Sequence, residues 1–98
     1  HYTMENRELE QEIVALFLQQ LPGTVSMLKS AKRAGEWKLA AHTLKGSAAA
    51  VGAARINALA VKIEQCSLGS SPKTSKKLLV ELDHAVDDFR KATGRIYG

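Results

Sequence analysis

The chain has 98 residues, the size of one small core rather than two. With 45% hydrophobic and 24% charged residues the composition is that of a folded globular domain, which excludes intrinsic disorder. A single cysteine, Cys66, excludes an internal disulfide and a Cys-rich zinc site, and the longest wholly apolar run, Ile13 to Leu18, is far too short to cross a bilayer. The formal charge of +4 is unevenly spread: between Lys29 and Lys62 seven basic residues stand against one acid, Glu36. Such a basic middle suits phosphate, nucleic acid or an acidic protein surface, and charge alone does not choose among them. Glutamates at 5, 8, 10 and 12 crowd the amino end, which is therefore no secretory signal. A chain that starts at His1 reads as a fragment or a processed form, folded as one domain over residues 1–98.

Taken in order, the segments are helical. Thr3 is placed as an N-cap with Glu5 in the first turn. Leu9, Ile13, Leu16 and Phe17, then Leu21, Val25 and Leu28, recur at helical spacing and are expected to face a core. Pro22-Gly23 predicts a kink or short break between the two groups, and Gly35 predicts the end of the segment. A second helix is expected from about Glu36 to Ala50, with Trp37, Ala41, Leu44, Ala48 and Val51 forming its apolar stripe and Gly52 breaking it. Ile56, Leu59, Ile63 and Cys66 draw a third stripe, on which Cys66 reads as a small buried hydrophobe. After a loop at Ser67–Ser71, Ser71-Pro72 looks like an N-cap followed by proline at the first helical position. Leu79, Leu82, Val86 and Phe89 then point inward on a last helix that Gly94 should stop. No stretch alternates with period two. The fold class is all-α, an antiparallel four-helix bundle, with close helix approach at Ala40, Ala41, Ala48 and Ala60.

The chemistry concentrates on the second helix. Lys38, His42, Lys45, Gly46 and Ala49 are separated by steps of three or four and share one side of it, next to the apolar stripe. Lysines one turn before and after His42 disfavour a second proton on the ring, and a neutral imidazole is a nucleophile. Lys45 can neutralise an anionic group attached to the ring, and glycine at 46, unfavourable in a helix by ~1 kcal/mol, leaves room for another protein's backbone. Each oddity has a use if His42 accepts a phosphoryl group. The plainer readings are a boundary histidine, solvated lysines and a glycine that packs against a neighbouring helix.

The stretch AHTLKGSAAAVGA, Ala41 to Ala53, resembles the signature of histidine-containing phosphotransfer (HPt) domains of phosphorelays. That family shows His-x-Leu-Lys-Gly-Ser/Ala, then a Gly-Ala pair, a leucine and a hydrophobic-Glu pair. Here these are His42, Leu44, Lys45, Gly46, Ser47, Gly52-Ala53, Leu59 and Ile63-Glu64, and the run Phe17, Leu21-Pro22, Leu28, Gly35-Glu36 is similar to the family's preceding helix. The likeness covers about Leu9 to Cys66. It implies that the active histidine is His42 on the second long helix, phosphorylated on its outer ring nitrogen, with Lys45 stabilising the phosphate. It further implies that Lys38, Gly46, Ala49 and Arg55 form the docking surface for a receiver domain. The implied partners are response-regulator receivers and a sensor or hybrid histidine kinase, in the cytoplasm, whether alone or as the cytoplasmic part of a membrane-bound hybrid kinase. Family members often carry a short helix ahead of the long first one. Only a few residues precede Glu5, so that helix is expected to be missing, shortened or lost with an upstream part.

No GxxxxGK[ST] or GxGxxG pattern is present, so neither ATP hydrolysis nor self-phosphorylation is expected. No cofactor or metal is expected on the domain itself, the Mg²⁺ of the transfer belonging to the receiver. Two rival functions follow from the residues. One is a helical interaction or dimerisation module in which His42 is incidental. The other is a basic nucleic-acid binder, against which stand the two arginines of the basic middle and its lack of interleaved aromatics. His84 with Asp87 and Asp88 is a metal candidate only by face, without a second histidine to help.

Overall fold

The computed structural model describes residues 4–66 and 72–97, with side chains over 8–66 and 73–94. Thr3, Ser71 and the loop at 67–71 lie outside the described residues, as do the side chains of Glu5 and Tyr97. Four helices follow one another: α1 (Met4–Ser30), α2 (Ala34–Ala50), α3 (Ala54–Gln65) and α4 (Pro72–Tyr97). There is no strand among the described residues, and no helix is long and apolar enough to cross a membrane.

The core is one cluster fed by all four helices. Phe17, Leu21, Val25 and Leu28 come from α1, Trp37, Ala40, Ala41, Leu44 and Ala48 from α2, Ile56, Leu59, Ala60 and Ile63 from α3, and Leu78, Leu82 and Ala85 from α4. Ala40, Ala41, Ala48 and Ala60 are wholly buried, as the small-residue pattern implied. The Trp37 indole is 2% exposed, and its Nε1–H donates to the carbonyls of Ile63, at 2.9 Å, and Cys66, at 2.8 Å. Carbonyls in the last turn of a helix have no partner within it, so α2 closes the end of α3 with one side chain.

The turn between α2 and α3 is set by Gly52, whose φ of +71° is in the left-handed region. Gly52 N–H donates to Ala49 O and Ala53 N–H to Ala48 O, the paired bonds of a Schellman motif that ends α2 abruptly. At the start of α2 the Glu36 carboxylate accepts from the backbone N–H of Lys32 and Arg33. That carboxylate starts the helix at Ala34, so Gly35 lies in its first turn and does not end α1, contrary to the sequence expectation.

Other expectations are also corrected. The break at Pro22-Gly23 does not occur, because Leu21 and Val25 anchor α1 in the core on either side of the missing hydrogen bond. Gly94 lies inside α4, where a lone glycine costs only ~1 kcal/mol and does not stop the helix. Cys66 is half-buried, its Sγ 3.5 Å from Ser75 Oγ. On α4 Leu82 is fully buried, while Leu79, Val86 and Phe89 are partly covered and Leu78 and Ala85 complete the stripe. On α1 the buried residues are Val14, Phe17, Leu21, Val25 and Leu28, whereas Leu9, Ile13 and Leu16 are 53%, 38% and 55% exposed. At about 100° per residue, the exposed set lies on a flank of the helix turned roughly 110° from the buried one.

The molecule measures 47 × 21 × 20 Å. Helices α1 and α4, of 27 and 26 residues, outrun α2 and α3, of 17 and 12. Phe17 and Phe89 meet edge to face, their centroids 5.5 Å apart, near the limit of the four-helix core.

Candidate functional site

Helix α2 buries Ala41 and Leu44 in the core, and this fixes the rotation that puts His42 outside. The imidazole is 65% exposed and is held at one atom: Nδ1 lies 3.2 Å from Glu64 Oε2 of α3. The other Glu64 oxygen, Oε1, accepts from Lys45 Nζ at 2.7 Å. Glu64 stands on α3 beside buried Ile63 and Ala60, only 19% exposed, so its carboxylate emerges from the α2–α3 seam between the histidine and the lysine. The Lys45 hydrogen bond, with the charge of Lys45 and the His42 bond added, holds the Glu64 carboxyl below the ordinary value of 4.5 against an opposing effect of desolvation.

An ionised carboxylate is an acceptor only, so Nδ1 carries the proton in this bond. In the neutral ring that leaves the lone pair on Nε2, the nitrogen on the far side from Glu64. The result is an exposed ring held at one nitrogen by a carboxylate. Asn57, two turns before Glu64 on the same face of α3, donates from Nδ2 to Lys45 O at 2.9 Å and pins the backbone of α2 beside the histidine.

Neither Asn57 nor Glu64 carried a role in the sequence reading. The motif includes Glu64 only as half of a pair, and helical spacing alone puts no carboxylate between His42 and the lysines that flank it. The available signal was the seven-residue spacing of two polar side chains bordering the Ile56–Ile63 stripe.

Lys38 and Ala49 are exposed on α2, as is Gly46, one turn beyond His42. An added Cβ at Gly46 would meet nothing within 4 Å, so the glycine does not serve packing inside the chain. Leu39, three residues before His42, is 60% exposed and adds an apolar element that the sequence reading passed over. Arg55 is not gathered with these residues; its guanidinium pairs with Asp88 of α4 at 2.7 Å. Asp87 pairs with Lys91 at 3.0 Å, and no group of three or more His, Cys, Asp or Glu is arranged as a metal site among the described residues.

Grooves along α1 and α4, one lined by Pro22, Val25, Lys29, Asp83, Val86 and Arg90, another by Val14, Leu18, Arg90 and Thr93, include no residue of this cluster. A side chain presented on an open helix face serves a reaction partner that is itself a protein better than an enclosed small substrate.

Among known protein families, residues 12–92 match the model described as "Hpt domain". No curated protein and no solved structure gives a match. Hpt domains are phosphotransfer carriers of two-component phosphorelays rather than enzymes with an ATP site. Matched over most of its length, and built as a four-helix bundle, the chain belongs to the Hpt domain family.

Proposed function

We propose that this domain accepts a phosphoryl group on Nε2 of His42 and exchanges it with the aspartate of a response-regulator receiver. The observation that carries the reading is the chain Lys45–Glu64–His42, which holds the exposed ring by Nδ1 and leaves Nε2 out of the bond. In the forward step the Nε2 lone pair forms a bond to phosphorus as the bond from phosphorus to the aspartyl oxygen breaks, and the carboxylate departs with that electron pair. Nδ1 keeps its proton throughout, and the positive charge gained by the ring is balanced by Glu64. Lys45 has three donors and uses one on Glu64 in this structure, so two remain for phosphoryl oxygens. The step needs positioning and charge neutralisation, both of which this seam supplies. Mg²⁺ enters with the receiver.

Lys38, Gly46 and Ala49 form the docking surface around the ring, and the bare Gly46 backbone admits the receiver closely. Arg55 is tied to Asp88, so its contribution is to the basic rim and not to the histidine. The short connections at 31–33 and 51–53 support an antiparallel order of helices, which places α2 and α3 side by side for this pairing. A cytoplasmic setting, with a sensor or hybrid kinase upstream, follows from the same role.

The test is direct. The domain is incubated with phosphoramidate and then with a set of receiver domains, and bound phosphate is located by mass spectrometry. Acid-labile phosphate on His42 that passes to a receiver is expected. The His42→Gln variant should keep its helical circular dichroism and accept nothing; phosphate acceptance by that variant would end the proposal.

A further inference from the structure

One exposed flank of α1, turned ~120° from its core stripe, is unlike the exposed faces of the other helices among the described residues. From Ile13 to Leu28, sixteen residues pass without a charge, in a chain of which 24% is charged. The outward positions over Leu9–Met27 are Leu9, Ile13, Leu16, Gln20, Gly23 and Met27, spaced alternately by four and three, and all six are exposed. Leu9, Leu16 and Met27 are each at least half exposed. The outer faces of the other helices carry charge: Glu36 and Lys38 on α2, Arg55 and Lys62 on α3, and Lys73, Lys76, Lys77, Asp87 and Lys91 on α4. A solvent-facing helix normally presents polar residues opposite its buried stripe. An uncharged apolar seam some ~27 Å long marks an interaction surface.

We propose that this face binds a second copy of the same chain, the two α1 helices packing antiparallel about a two-fold axis between Leu16 and Gln20. Charge chooses the occupant and its direction. Glu8, Glu10 and Glu12 crowd the start of the seam, while Lys32 and Arg33 stand beyond its far end, next to Lys29, whose ammonium is paired with Asp83 of α4 at 2.8 Å. An antiparallel pair sets the acidic end of each copy beside the basic end of the other, whereas a parallel pair would stack like charges. A two-fold contact requires a self-complementary patch, and this one is uncharged along its centre.

Shape agrees with that direction. About this axis Leu9 meets Met27 of the second copy and Ile13 meets Gly23, a helical glycine with nothing within 4 Å of an added Cβ. The isoleucine side chain fills the space left by the glycine. His42 faces the α2–α3 seam, so both histidines of the pair stay open to receivers. A single helix pair of this length buries less than the ~800 Å² per partner of a standard interface, so the dimer is weak and concentration-dependent.

Sedimentation equilibrium from ~10 µM to ~1 mM, the range for a contact of this class, should show monomer giving way to dimer. The Leu16→Glu variant should remain monomeric while accepting phosphate from phosphoramidate as the parent does, which keeps this proposal separate from the role of His42. In a Cys66→Ser background, Leu9→Cys and Met27→Cys proteins should form disulfides when mixed and not when alone. A parent that is monomeric at every concentration leaves the seam to a different partner and overturns the proposal. Disulfide formation by Leu9→Cys alone makes the pair parallel and overturns it equally.

Discussion

A histidine that is 65% exposed keeps one ring orientation only if one of its nitrogens is held. Glu64 does this for His42, and Lys45 in turn keeps Glu64 ionised. Removing the carboxylate in Glu64→Ala frees the ring to rotate and to exchange tautomers, and phosphate acceptance should fall about tenfold, the scale on which partners that orient a reactive imidazole act. Because folding lowers the Glu64 pKa, its contribution to stability is complete above the ordinary value of 4.5 and is lost as pH falls through the lowered one. The difference in melting temperature between the parent and Glu64→Ala should therefore be constant near neutral pH and shrink below 4.5. A difference that widens in acid would contradict the assignment. Gly46 is a helical glycine that packing inside the chain does not require. Since no neighbour is within 4 Å of its added Cβ, Gly46→Ala should stabilise the fold by up to ~1 kcal/mol in urea titrations. Receiver transfer should nevertheless slow, and Gly46→Leu should block it, while phosphoramidate labelling is unchanged in both.

At the scale of elements, the site depends on how α3 is seated against α2. Three contacts seat it: the Trp37 indole on the Ile63 and Cys66 carbonyls, Asn57 on the Lys45 carbonyl, and the Schellman turn at Gly52. The first closes the end of α3 one residue from Glu64, so it controls the height of the carboxylate as well as stability. Trp37→Phe keeps a ring in the core but leaves two carbonyls without their donor, at a cost of roughly 1–3 kcal/mol. Urea unfolding should register that loss, together with a slower acceptance of phosphate. A variant as stable as the parent would show that water replaces the indole at no cost.

For the whole molecule, the two long helices and the two short ones divide the work. All four build the core, and the α2–α3 pair carries the histidine, the lysine and the carboxylate. One flank of α1 is left with an apolar seam that no other described part of the chain covers, on a different helix from the one that presents His42. Self-association along α1 is therefore compatible with phosphotransfer, and the two are tested by separate variants.

Much of this was legible in the residues. Apolar spacing around Trp37, Leu44, Ile56, Ile63 and Leu82 depends only on helix periodicity, so the number of helices and the outward placement of His42 followed from local pattern. Gly52 was legible for the same reason, as a break where the backbone turns left-handed. Three things required the tertiary structure. Helix α1 carries two apolar stripes roughly 120° apart, and periodicity describes both equally; only packing against α2 and α4 decides that Phe17 goes in and Leu16 stays out. Pro22, Gly35 and Gly94 have unfavourable local conformations that burial and the Glu36 cap outweigh. Glu64 is twenty-two residues from His42, and no local rule brings those atoms to 3.2 Å. The sequence determined which side chains share the exposed face of α2 with His42, because that is a property of residue type and helical spacing. The pairing that orients the imidazole was decided only where two helices meet.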